Sequence, residues 1–148
     1  MNANVNTEKM LEDLKINVKV KLSALWVTLM FFYLYRDVLG YMEPGHIEKI
    51  IAGEIAGIKM THTVLLGSAF LMAIPSFMVF LSLALRAKVN RWVNVILGVA
   101  HLGLLAGTLF VGEVSILYIF YVIVEAALLG LILWFALKWP KHASVDAT

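Results

Sequence analysis

Four apolar runs divide the chain, at about 22–39 (LSALWVTLMFFYLYRDVL), 64–85 (VLLGSAFLMAIPSFMVFLSLAL), 92–112 and 114–139. An α-helix rises 1.5 Å per residue, so about 20 residues cross a hydrocarbon layer roughly 30 Å thick. Transmembrane strands would show about ten residues of alternating polarity instead, and these runs do not alternate. They predict an all-α protein, an antiparallel bundle of four transmembrane helices. Composition agrees: 61% of the 148 residues are hydrophobic and 15% charged, against roughly 45–50% and 25% in soluble domains. A soluble domain of this size has no core large enough to hide such runs. The expected organisation is a tail and membrane-edge segment at 1–21, a transmembrane domain at 22–139 and a tail at 140–148.

Lysine and arginine set the expected orientation. One side carries Lys9, Lys15, Lys19 and Lys21, then Arg86, Lys88 and Arg91, then Lys138 and Lys141. Arg36, Lys49 and Lys59 lie on the other side, opposed by Asp37, Glu43, Glu48, Glu54 and Glu113. Basic residues collect on the cytoplasmic side of short loops. Both termini and the 86–91 link are therefore expected in the cytoplasm. Glu8, Glu12 and Asp13 precede the first run and no small-residue cleavage pattern follows it, so an uncleaved first span is expected. The basic residues flank membrane runs and do not form a nucleic-acid surface. With no cysteine in the chain, disulfides and thiolate metal sites are excluded.

The long link, 40–62, opens with a Pro44–Gly45 turn. Ile47, Ile50, Ile51, Ile55 and Ile58 then recur at helical spacing, which predicts a short outer amphipathic helix over 47–60. Gly53 and Gly57 would weaken it as a free helix but allow close approach to another. Spans three and four are separated by little more than Gly112 and Glu113 and must form a tight hairpin. Gly103 and Gly107 offer a small-residue packing face on span three.

Polar residues inside the spans are the candidate site. Glu125 lies near the middle of the fourth run, where a charge costs about 2.5–3.5 kcal/mol on insertion scales. It must be protonated or paired, facing the bundle. Tyr118 and Tyr121 precede it by seven and four residues and share its face. Asn94, His101 and Thr108, seven apart, form a matching face on span three, and the tight hairpin brings His101 to a similar depth. Three readings stand: a Glu125–His101 pocket for a proton or ligand, a polar lock that only fixes packing, or separate residues that never meet. Pro75 in the middle of span two predicts a kink, with Ser76 available to a freed backbone group. Tyr33, Arg36 and Asp37 form an outer mouth or anchor at the end of span one, while Trp26, too deep for an interface anchor, is expected to pack inward. Trp92, Trp134 and Trp139 suit a cytoplasmic aromatic belt. One Glu and one His do not make a metal site, and HExxH is absent.

The segments VKVKLSALWVTLMFFYLYRD, LMAIPSFMVFLSLALRAKVNRWVNVILG and VEAALLGLILWFALKWP resemble an uncharacterised family of small bacterial four-span membrane proteins. The layout is also similar to that of DoxX-like proteins. The resemblance implies four helices in a bacterial inner membrane and carries no reaction, cofactor or catalytic residue with it. Three functions stay open. The first is a small binding or interaction protein with a polar intramembrane site, its partners being lipids, a second copy or another membrane protein. The second is a small-molecule or proton-coupled transporter acting as an oligomer. The third is a membrane enzyme, which is weakest because no nucleophile–base set appears.

Overall fold

The computed structural model describes residues 15–55, 57–110 and 115–140. Four long helices carry the fold: α1 (Val18–Gly40), α3 (His62–Ala84), α4 (Ala87–Thr108) and α5 (Ile116–Leu137). A short helix α2 (His46–Ile51) and a two-stranded hairpin, β1 (Glu54–Ile55) and β2 (Ile58–Lys59), lie between α1 and α3. At 22–23 residues, each long helix is about 33–35 Å long and apolar enough to cross a membrane. The chain is a multi-pass membrane protein.

Three of the four long helices start before their apolar runs do, and α5 starts at Ile116, inside its run, because capping and not hydropathy decides where a helix begins. Asn17 caps α1, its side-chain oxygen accepting from the Lys19 amide at 2.9 Å, so the lysine-bearing edge is part of the helix. Lys19 Nζ reaches the Leu85 carbonyl at 2.6 Å and that of Leu83 at 3.2 Å. A cation thus covers the carbonyls at the end of α3, where the helix dipole is negative. Thr61 and Ser115 cap α3 and α5 in the same way, through the amides of Val64 and Tyr118. The expected Gly112–Glu113 link lies outside the described residues.

The connection corrects one expectation. Helix does not run over 47–60; it stops at Ile51. Gly53 and Gly57 take φ of 76° and 77°, left-handed conformations that glycine adopts without steric cost. They end α2 and turn the hairpin, in which Ile55 faces Ile58 and the Met60 amide donates to the Gly53 carbonyl at 2.8 Å. The helical spacing of the isoleucines came from two different elements.

α1 packs along both α3 and α5, α5 packs along α4, and α3 meets α4 over a shorter stretch. Leu22, Trp26 and Leu29 of α1, Met78 of α3 and Leu129, Ile132 and Ala136 of α5 form the core. Buried positions recur with one spacing on α4 (Asn90, Asn94, Gly98, His101, Leu105) and α5 (Tyr121, Glu125, Leu129, Ile132, Ala136). α4 and α5 pack tightly at Gly98, where a Cβ would sit 3.0 Å from Leu133 Cδ2. Gly103 and Gly107 face open space and are not the packing face the sequence suggested. The buried residues of α3, namely Pro75, Met78 and Ser82, all lie in its second half. The bundle is therefore closed at the end holding the 85–86 link and looser at the end holding α2 and the hairpin. α3 continues as helix past Pro75. Ser76 Oγ donates to the Met72 carbonyl at 2.9 Å, one residue away from the Leu71 carbonyl that Pro75 leaves without its helical donor.

Candidate functional site

Two polar clusters occupy the bundle at different depths. The deeper one, toward the 85–86 link, joins three helices. Trp26 Nε1 on α1 donates to Asn94 Oδ1 on α4 at 2.7 Å. Asn94 Nδ2 donates in turn to the carbonyl and side-chain oxygens of Asn90, at 2.9 and 2.6 Å, and Asn90 Nδ2 donates to the Ser82 carbonyl of α3. Each amide is completely buried. Asn94 thus uses both of its amide protons and one of the two acceptor sites on its oxygen. Ser23 Oγ adds a bond from α1 to the Val79 carbonyl at 2.8 Å. This cluster locks the closed end.

The second cluster centres on Glu125, which is fully buried. Its carboxylate meets Arg36, whose Nη1 lies 2.8 Å from Oε2 and 3.0 Å from Oε1. Arg36 stands one turn from the end of α1 and turns its guanidinium inward to Glu125. Tyr33 lies under the guanidinium, ring centroid 5.3 Å from Cζ. Asp37, half exposed, keeps Oδ1 3.6 Å from Arg36 Nε. The ion pair solves the burial problem set by Glu125: removing one partner of a buried pair typically costs about 3–5 kcal/mol.

His101 lies one helix away, 5% exposed. Its Nδ1 is 2.8 Å from the Leu97 carbonyl and its ring stands edge-on to Trp26. Nε2 has no hydrogen-bond partner among the described residues, a condition costing about 1–3 kcal/mol for a buried polar atom. His101 and Glu125 line one cavity of about 70 Å³, together with Tyr33, Arg36, Met72 and Thr108, and the Glu125 carboxylate is held by Arg36. Tyr118 donates to Thr108 Oγ1 at 2.6 Å and not to Glu125, tying α5 to α4. The buried Tyr121 ring packs edge-on against Phe32 and Phe120. Asn94 belongs to the deeper lock, and Pro75 is buried but lines neither cavity.

Above the small cavity is a larger one of about 410 Å³, roofed by α2 and the hairpin. Its wall mixes charged and apolar groups: Asp37, Glu43, His46, Lys49 and Glu54 beside Ile50, Ile55 and Ile58. Arg36 and Thr108 line both cavities and mark their boundary. No cluster of three His, Asp or Glu suited to a metal ion occurs among the described residues.

Such a layout, four membrane-length helices over almost the whole chain, can be set beside known proteins. Residues 9–146 match the model of a family of unknown function, DUF6326. The chain belongs to that family. Neither the curated proteins nor the solved structures offer a match.

Sequence reasoning missed two residues and one pairing. Asn90 fell inside RAKVNR, which charge made look like a loop, although α4 begins at Ala87. Ser82 carried no signal of its own. Arg36 was named as an outer mouth or anchor, without its partner Glu125. The buried positions of α1, 22, 26, 29 and 33, alternate steps of four and three, and the next step of three reaches Arg36. That periodicity was the available signal.

Proposed function

We propose that the chain is a small binding protein of the bacterial inner membrane, which takes a small amphipathic molecule into the roofed vestibule and holds its polar end at the Arg36–Glu125 pair. In this reading the termini and the 85–86 link lie in the cytoplasm and the vestibule opens on the outer side, in keeping with the placement of lysine and arginine. The observation that carries the proposal is the position of Arg36, paired to a fully buried carboxylate and lining both cavities. A buried ion pair adds little stability that apolar packing could not supply, and intramembrane ionisable groups mark functional sites by default. The vestibule has the size and mixed lining of a small-molecule site.

Carrier activity is the other reading. The closed half of the bundle, with Trp26, Asn90 and Asn94 completely buried, offers a binding chamber open to one side and favours binding over transport. The test is to purify the protein from native membranes and identify retained small molecules by mass spectrometry. Wild type should carry a stoichiometric amphipathic molecule, which Arg36→Gln and Ser68→Trp, the latter at an exposed vestibule position, should both lose. Equal retention by all three proteins would contradict the proposal. Orientation is tested separately: His46→Cys should react with an impermeant thiol reagent in intact cells and His142→Cys should not.

A further inference from the structure

The Leu97 carbonyl can only accept a hydrogen bond, so the 2.8 Å contact places the ring proton of His101 on Nδ1. In that tautomer Nε2 offers a lone pair, is buried and meets no donor among the described residues. His101 is one of the residues that line the 70 Å³ cavity. The other polar side chains that line it are Tyr33, Arg36, Thr108 and Glu125, and the last three are held by hydrogen bonds. Thr108 gives its proton to the Leu105 carbonyl and accepts from Tyr118. The Glu125 oxygens accept from Arg36 Nη1, and Arg36 Nη2 makes no hydrogen bond among the described residues. The lining thus brings together an acceptor on His101, a donor on Arg36 and the Tyr33 hydroxyl, which is both. Leu71 and Met72 of α3 and Leu104 and Leu105 of α4 supply apolar wall between them.

We infer that this cavity is a hydroxyl subsite: an O–H donates to His101 Nε2 while its oxygen accepts from Arg36. A hydroxyl satisfies both, because it is donor and acceptor at one atom. Water occupies the subsite at rest, since the space exceeds the roughly 10–15 Å³ that one molecule needs and His101 and Arg36 offer it polar partners. A hydroxyl at the polar end of the ligand replaces it. The second step rests on the binding function proposed above; the first does not.

The experiment uses the full chain in lipid nanodiscs with ¹⁵N-labelled histidine, His101 being assigned by difference from His101→Gln. Nδ1 should carry the proton, and Nε2 should receive magnetisation from water. ¹³C-methanol should give contacts to the His101 ring, and ¹³C-acetonitrile, similar in size but lacking a hydroxyl, should not. Leu104→Trp, which fills the cavity, should abolish the water and methanol contacts. A proton on Nε2 with a bare Nδ1, or a ring without water contact, would overturn the subsite. Methanol and acetonitrile reaching the ring equally would show an apolar hole, and water alone reaching it would remove the ligand half. If purified protein retains no amphipathic molecule while water and methanol contacts persist, the binding function falls and the hydroxyl subsite stands.

Discussion

Replacing Asn94 by leucine keeps the branching at Cγ, at a larger volume, and removes the hub of the deeper lock. Three hydrogen bonds disappear: one from Trp26 at 2.7 Å and two to Asn90 at 2.9 and 2.6 Å. Their loss leaves the Trp26 N–H and the Asn90 side-chain oxygen buried without partners, while Asn90 still donates to Ser82. Each orphaned group costs about 1–3 kcal/mol. Membrane interiors temper the figure, because interhelical hydrogen bonds there average about 0.6 kcal/mol by double-mutant cycles. The expected destabilisation is about 2–4 kcal/mol. The assay is reversible unfolding in mixed micelles titrated with SDS, followed by circular dichroism. A cycle with Trp26→Phe isolates the pair: the double mutant should be more stable than the sum of the singles predicts, by about 0.5–1.5 kcal/mol. A loss below about 0.5 kcal/mol for Asn94→Leu, with no coupling to Trp26, would refute the lock.

Two further substitutions follow from backbone and close packing. Gly98→Ala should destabilise by about 1 kcal/mol in the same assay, since its Cβ meets Leu133 at 3.0 Å, whereas Gly103→Ala should cost nothing measurable, with open space around it. Gly57→Val forces a β-branched residue to φ 77°, costing about 1–2 kcal/mol; amide exchange of Met60, bonded to Gly53 across the hairpin, should speed up while the long helices keep their protection.

The bundle was legible because hydropathy and helix length act locally and every span shows them. Details that depend on partners were not. The isoleucines at 47, 50 and 51 do form a helical face, but positive φ at Gly53 and Gly57 ended the helix and moved Ile55 and Ile58 into a hairpin. Glu125 announced itself by its apolar surroundings. Its partner did not, because Arg36 lies 89 residues away beside an aspartate that made it look like a headgroup anchor. Asn90 was hidden by neighbouring charges: a hydropathy window ends the span at Trp92, and the helix, begun at Ala87, buries Asn90 anyway. Burial on one helical face follows 3.6-residue geometry, to which average hydropathy is blind.

The pairing of Arg36 with Glu125 at the floor of the vestibule is the centre of this account, and a distance measurement reaches it directly. Protein labelled with ¹⁵N-arginine and ¹³C-glutamate, reconstituted in lipid, can be examined by magic-angle-spinning NMR for dipolar coupling between guanidinium nitrogens and side-chain carboxyl carbons. At an N–O contact of 2.8 Å, a strong coupling should appear, vanish in Arg36→Gln and in Glu125→Gln, and survive in His101→Gln. A spectrum in which no arginine nitrogen dephases the Glu125 carboxyl carbon, or in which the coupling persists without Arg36, would contradict it.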